Sequence, residues 1–189
     1  MKKLQLTSLV ICTAFVFACN TDHTKEATEV TSSEDLAKRG KYLVDIMGCN
    51  DCHSPKVMTP QGPVPDTNLL LSGHPSSMPI APIDTVTSKS WVLFNPILTA
   101  SAGPWGVSFA ANITSDESGI GSWTEAQFFK AIREGKYKGL DNGRMLLPPM
   151  PWPGIAKASD EDLKAIFAYL KTTKPVHNVV PPPIPPKRG

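Results

Sequence analysis

The sequence has few cysteines, few aromatic residues and no concentrated charge of one sign. Only four of its 189 residues are cysteines, 7% are aromatic, and no proline precedes Pro55. The formal net charge of +2 comes from the first 18 residues, which hold two lysines and no acid. A chain that is otherwise neutral has no overall excess of cations to neutralise phosphates, which argues against nucleic-acid binding. We expect one domain of modest size.

Residues 1–18 have the pattern of a lipoprotein-type signal peptide. Two lysines precede an apolar run that ends at the small residue Ala18. That run is shorter than the roughly 20 residues of a membrane-spanning helix, so we expect cleavage rather than an uncleaved anchor. The residues that end at Cys19 resemble a lipobox, which predicts lipidation of Cys19, with plain cleavage nearby as the alternative. The polar segment 19–33 is expected to be a flexible tether. The protein is then exported, to the periplasm or the cell surface, and held on a membrane by its lipid.

Two cysteines remain after Cys12 and Cys19 are assigned to the leader and the lipid. They belong to the run from Cys49 through Cys52 to His53, which is the attachment motif of c-type haem: two thiols bond to the porphyrin and the histidine ligates iron. A zinc site would need more ligands, and a thioredoxin-like thiol pair would open a helix rather than follow one. A disulfide is geometrically poor at this separation. We therefore expect one covalent haem c.

Apolar residues recur at helical spacing in three segments. The predicted N-caps of these helices are Ser33, Thr124 and Ser159. The first helix is expected to end at Gly48, directly before the haem motif. Gly40 lies in the apolar face of that helix and lowers its helix propensity, so we expect a close crossing by the last helix there.

A second axial ligand must come from a distant part of the chain, and histidine or methionine can supply it. Met150 is the first candidate, because it lies between prolines that restrict the backbone and lower the entropy lost on holding one thioether at iron. Met145 is the second candidate and His74 the third. Methionines more often fill cores, and that interpretation stays open.

Several short motifs connect this sequence to a known family. They are Asn112-Ile113-Thr114, Gly119-Ile120-Gly121-Ser122-Trp123, Ala131-Ile132-Arg133-Glu134-Gly135, Pro149-Met150-Pro151, Asp160-Glu161-Asp162-Leu163-Lys164-Ala165-Ile166 and Ala168-Tyr169-Leu170. With them, the chain from about Glu34 to Pro186 resembles a class I c-type cytochrome, and its second half is similar to the cytochrome domains of bacterial alcohol and sugar-acid dehydrogenases. The resemblance implies that Met150 is the distal ligand. The haem motif occurs once here, whereas those subunits often repeat it.

The expected fold is all-α, with cytochrome c-like helices of residues 34–174 around one haem. Residues 54–111 form an inserted lobe, since so long a segment is not a structureless loop, and its β-branched and aromatic runs 85–87 and 91–94 predict short strands. Residues 175–189 form a proline-rich tail, expected as polyproline II against the body or a partner.

The predicted function is single-electron transfer through a haem held by Cys49, Cys52, His53 and Met150. Neither clustered carboxylates nor a nucleophile beside a base are present in the sequence, so we expect no catalysis by the chain itself. Its partners are expected to be redox proteins: a dehydrogenase, a quinol-linked complex or a terminal oxidase. The alternative is a haem enzyme or a sensor of gas or peroxide in which the sixth iron position is open.

Overall fold

The structure is a computed structural model that describes residues 32–186. The expected signal peptide, Cys19 and most of the expected tether lie outside the described residues. The α-helices in the described range are α1 (Ser33–Ile46), α2 (Cys49–His53), α3 (Glu125–Arg133), α4 (Trp152–Ile155) and α5 (Asp160–Thr172). Two short 3-10 helices, Thr87–Lys89 and Tyr137–Gly139, lie in the connections.

Helices α1 and α5 cross where α1 carries no side chain. A Cβ atom at Gly40 would lie 1.9 Å from the Ala165 carbonyl oxygen and 2.7 Å from Tyr169 Cβ, so only glycine permits this approach. The predicted crossing is therefore confirmed. An ion pair between Arg39 and Asp162, 3.0 Å apart, joins the same two helices at the surface.

The predicted starts of α3 and α5 are right, and the predicted start of α1 is wrong by one residue. Ser159 Oγ caps α5, and Thr124 forms a capping box with Gln127 at the start of α3. The N-cap of α1 is Ser32 rather than Ser33, because Ser32 Oγ accepts a hydrogen bond from the Asp35 amide and also donates to its carboxylate.

The expectation of an all-α fold is wrong, because the described residues also contain two small antiparallel sheets. The strands are β1 (Lys56–Thr59), β2 (Gly62–Pro65), β3 (Leu93–Phe94), β4 (Ala100–Gly103) and β5 (Gly106–Phe109). Strand β1 pairs with β2, and β4 lies between β3 and β5. All five lie in the expected inserted lobe, where frequent prolines prevent helices and short strand pairs satisfy the backbone polar groups instead. Of the two runs predicted as strands, 91–94 contains β3, whereas 85–87 consists of a turn at residues 85–86 and the first residue of a 3-10 helix.

One core joins the helices to the inserted lobe. It contains Leu43, Val44, Leu71, Ile120, Phe128, Ile132, Leu163, Ala165, Ile166 and Leu170. Leu71 comes from the lobe and is 1% exposed, so the lobe shares the helical core rather than forming a separate one. Within residues 32–186 we find no helix that has both the length and the apolar character needed to cross a bilayer.

Candidate haem-binding site

Helix α2 is a single short turn that presents the two thiols and the imidazole. Gly48, at φ 69°, adopts the left-handed conformation and separates the end of α1 from the start of α2. Cys49 and Cys52 are three positions apart, so they share one side of the turn. Both are free thiols and both are partly accessible. This arrangement suits two bonds to one porphyrin edge.

The surroundings of the two α2 thiols suit neither a thioredoxin-like redox pair nor a zinc site. Burial raises the pKa of Cys49 to about 11 and also raises the pKa of Cys52. A thioredoxin-like pair needs a lowered thiol pKa, so the structure does not favour that function. Among residues 32–186, no group of three or more His, Cys, Asp or Glu side chains could hold a metal ion. The zinc interpretation therefore lacks its remaining ligands.

His53 is held in one tautomer by a backbone carbonyl. Its Nδ1 lies 2.7 Å from the Ala111 carbonyl oxygen, and since a carbonyl only accepts, Nδ1 carries the proton. The Nε2 lone pair is then left for a metal. Burial lowers the pKa of His53, which favours the neutral ring that ligates iron. The histidine thus fits the role of an axial ligand.

Two residues that the motif does not include support α2 from its carboxyl end. Ser54 is fully buried; its hydroxyl donates to Asn50 Oδ1 at 2.7 Å and accepts from the Leu71 amide at 2.8 Å. The Lys56 ammonium donates to the carbonyl oxygens of Asn50, at 3.0 Å, and Asp51, at 2.9 Å, and also to that of Ser54. These contacts satisfy carbonyls that a one-turn helix leaves unpaired.

Met150 lies in a loop that is fixed at several points. The Leu146 amide donates to the Gly135 carbonyl at 2.6 Å, and the Ser108 hydroxyl donates to the Pro148 carbonyl at 2.6 Å. The Met150 side chain is partly buried and packs against the helical core. Strand β5 of the inserted lobe, which carries Ser108, therefore helps to place the loop that the sequence indicated as the source of a ligand.

The other two candidates for the sixth ligand have different surroundings. Met145 is 44% exposed and lies opposite Lys136 in an isolated β-bridge. His74 is completely buried, with Nδ1 2.9 Å from Thr99 Oγ1 and its ring centre 4.9 Å from that of Phe109, the two rings being tilted by 37°. Burial lowers the pKa of His74, and the Met78 carbonyl opposes this shift. His74 is thus a packed residue of the lobe.

Sequence reasoning predicted the thiols and His53 as haem-binding residues but did not indicate the Ala111 carbonyl, Ser54 or Lys56. A carbonyl acceptor has no signature in residue type, so no sequence signal could have identified Ala111. Lys56 lies three residues beyond the motif, and a lysine just after a helix is a recognised C-terminal partner. That signal was present in the sequence.

The chain is similar to several bacterial cytochrome subunits. It is 32% identical over 151 residues to the gluconate 2-dehydrogenase cytochrome c subunit of Pantoea cypripedii, which covers 79% of this chain and 25% of that protein. Identity to the alcohol dehydrogenase (quinone) cytochrome c subunit of Gluconobacter oxydans is 31% over 147 residues, 77% of this chain and 23% of that protein. Identity to the fructose dehydrogenase cytochrome subunit of Gluconobacter japonicus is 39% over 79 residues, 41% of this chain and 16% of that protein. No family model matches the chain.

The chain spans about a quarter of the length of the first two relatives. Their names imply a haem c cofactor, and the free thiols and the neutral His53 of α2 fit that group. The resemblance seen in the sequence is thereby confirmed: this chain contains a cytochrome c domain of the kind found in the cytochrome subunits of bacterial dehydrogenases.

Proposed function

We propose that the protein is a monohaem electron-transfer cytochrome with no catalytic activity of its own. Cys49 and Cys52 bind the porphyrin, and His53 and Met150 ligate the iron. Bound haem supplies a one-electron couple, and the protein tunes it through the axial ligands and burial. The observation that carries this proposal is the hydrogen bond from His53 Nδ1 to the Ala111 carbonyl, which prepares Nε2 as a ligand.

The structure supports Met150 over its competitors by burial. Met150 packs on the core but stays partly accessible, Met145 is exposed, and His74 is completely buried, with no accessible surface against which a haem could lie. A neutral thioether favours reduced iron and raises the potential. With Met150 as a ligand, the haem would have a relatively high reduction potential, and the protein would accept electrons readily.

Replacing each methionine in turn tests the ligand assignment. Met150→Ala should leave the haem attached, remove the sulfur-to-iron charge-transfer band of the oxidised protein and lower the potential by roughly 0.1–0.3 V, within the roughly 0.8 V that axial ligands span. Met145→Ala is the matched control and should change neither quantity. An unchanged spectrum in Met150→Ala would exclude Met150 as the ligand. A wild-type spectrum without the band would favour the alternative, a haem enzyme or sensor with an open sixth position.

The partner surface is proposed to be the basic loop, residues 136–145. Of the five basic residues between Lys130 and Arg144, Lys130 is paired with Asp141 and Glu134, and Arg133 with Asp160.

The other three, Lys136, Lys138 and Arg144, form no ion pair with a described carboxylate. The Arg144 guanidinium stacks 3.9 Å from the centre of the Tyr137 ring. Exposed Leu140 and Met145 add apolar area. Such a loop fits an acidic face on a redox protein, with dehydrogenases first because the relatives are subunits of dehydrogenases.

Charge reversal tests this surface. The double variant Lys136→Glu with Lys138→Glu should slow electron transfer with an acidic dehydrogenase, quinol-linked complex or oxidase, most strongly at low ionic strength. Lys38→Glu, on the exposed face of α1, is the control and should have a smaller effect per charge. Equal effects per charge at the two sites would contradict a localised docking surface.

The proposal includes export and a lipid on Cys19, followed by residence on a membrane in the periplasm or at the cell surface. It is supported by the lysine-then-apolar pattern of residues 1–18. Mass spectrometry of the mature N-terminus should find a modified Cys19, and Cys19→Ala should move the protein to the soluble fraction. An unmodified N-terminus at another residue would refute the lipid.

A further inference from the structure

The segment after α5 is held to the rest of the domain by hydrogen bonds along its length. We call residues 173–186 the strap. At its start, the Ser115 amide donates to Thr173 Oγ1 at 3.0 Å, and the Ser115 hydroxyl donates to the Thr173 carbonyl at 2.5 Å. Near its end, Ile184 and Val107 exchange backbone hydrogen bonds of 2.8 and 3.0 Å. The strap therefore runs over the inserted lobe and the connection that follows it.

Asn112 is the side chain that joins the strap to the centre of the domain. It is 6% exposed. Its amide nitrogen donates to the carbonyl oxygens of Val176 at 2.8 Å and Asn178 at 3.4 Å, and to Ser118 Oγ at 3.0 Å. Its amide oxygen accepts from the Thr114 amide at 3.0 Å and the Thr114 hydroxyl at 2.7 Å. Both ends of the amide are thus fully used.

The peptide bond that precedes Asn112 is the one whose carbonyl holds His53. Since a peptide unit is planar, the Ala111 oxygen moves with the Asn112 backbone. The other side of this peptide lies against Gly73: a Cβ there would be 2.5 Å from the Ala111 carbonyl carbon and 2.6 Å from the Asn112 nitrogen. The Ala111–Asn112 peptide therefore packs against Gly73, and the Asn112 side chain ties the same backbone to the strap.

We propose that Asn112 is a positioning residue for His53, through which the strap sets how strongly His53 donates to iron. This inference rests on the proposed function. A short hydrogen bond from Nδ1 to a fixed carbonyl raises the basicity of Nε2, and a more basic ligand stabilises the oxidised metal. Loosening the peptide should therefore weaken the bond and raise the reduction potential.

The test compares two truncations of the strap contacts in the haem-loaded protein. Asn112→Ala should shift the ratio of oxidised to reduced protein about tenfold towards the reduced form, which is about 59 mV for one electron. It should also speed solvent exchange of the His53 Nδ1 proton, followed by NMR. The control is Thr173→Ala, at the start of the strap. That change removes the bond from the Ser115 amide to Thr173 Oγ1 at 3.0 Å and the bond from the Thr173 hydroxyl to the Leu170 carbonyl at 2.7 Å.

The control loses two hydrogen bonds at the strap, as many as Asn112→Ala loses to strap carbonyls, and none beside Gly73 or the Ala111–Asn112 peptide. It should lower thermal stability by less than Asn112→Ala and leave the potential and the exchange rate unchanged. If Asn112→Ala fails to fold, Ser118→Ala removes one contact of the same amide and should give a smaller rise in potential. A rise in potential no larger than that of the control, or a fall, would overturn the positioning role.

The failure of this inference is distinguishable from the failure of the proposed function. A wild-type protein without haem would refute the proposed function itself. Haem-loaded wild type together with an Asn112→Ala or Ser118→Ala variant of unchanged potential would refute only this inference.

Discussion

Replacing Gly40 with alanine tests whether the close crossing of α1 and α5 determines stability. The added Cβ would lie 1.9 Å from the Ala165 carbonyl oxygen, where ordinary contact begins near 3.4 Å. The obstacle is backbone, so it cannot rotate away as a side chain could. The two helices must therefore separate by about 1.5 Å.

The free energy lost by separating the helices exceeds the free energy that alanine gains over glycine in helix propensity. Gaps of 0.5–1 Å already forfeit about a quarter to a half of each dispersion contact, and the affected interface includes fully buried Val44 and Leu163. Overpacking costs about 1–3 kcal/mol or more, whereas alanine in place of glycine gains about 1 kcal/mol in a helix. The backbone obstacle places the overpacking cost at the upper end of that range, so we expect a net loss of about 2 kcal/mol, or a fall in Tm of roughly 4–8 °C for a chain of this size.

Thermal unfolding of the haem-loaded protein, followed by circular dichroism, measures this loss. Gly154→Ala is the matched control, since a Cβ in α4 at that position has no neighbour within 4 Å. It should leave Tm unchanged or raise it by a few degrees. If Gly40→Ala were as stable as Gly154→Ala, the crossing would not have the geometry described.

Two further predictions concern a buried histidine and a lysine that caps a helix. Burial lowers the pKa of His74 from its ordinary 6.5, so below pH 6.5 the unfolded chain takes up a proton that the folded chain refuses, and stability should fall by up to about 1.4 kcal/mol per pH unit until the folded pKa is reached. Denaturant unfolding between pH 7 and 5 should show a weaker pH dependence in His74→Asn, and parallel curves would exclude His74 as its source. Lys56→Met removes a charged donor shared by three carbonyls of α2 and its end and should cost about 1–2 kcal/mol. Exposed Lys157→Met should cost close to nothing, and equal losses in the two variants would argue against capping by Lys56.

The sequence predicted the helices well at positions where the residue type has a single structural explanation. Gly40 in an apolar helical face indicated a crossing, and the Thr124–Gln127 pair indicated a helix start. The start of α1 was ambiguous because two serines are adjacent, and the choice of Ser32 depends on where its hydroxyl meets Asp35.

The strands were harder to predict because packing rather than propensity stabilises them. Strand β4 reads Ala-Ser-Ala-Gly, which has little intrinsic strand preference, yet all four of its residues are buried. Thr85 and Val86 have that preference but form a turn, since the Asp84 carboxylate accepts hydrogen bonds from the Val86 and Thr87 amides.

The candidate site also has one part that local sequence predicts and one part that depends on the fold. Cys49, Cys52 and His53 are identified by local spacing alone. The carbonyl that fixes His53 comes from a residue 58 positions away, and its contribution is independent of the side chain that Ala111 carries. Only the folded backbone reveals it.

The crossing of α1 and α5 also bears on how the molecule folds. Arg39 and Asp162, which meet there, are 123 positions apart, so α5, which covers the Gly40 side of α1, is synthesised long after α1 itself. Contacts of such sequence separation form slowly. The crossing of α1 and α5 is therefore expected to be a late step in folding.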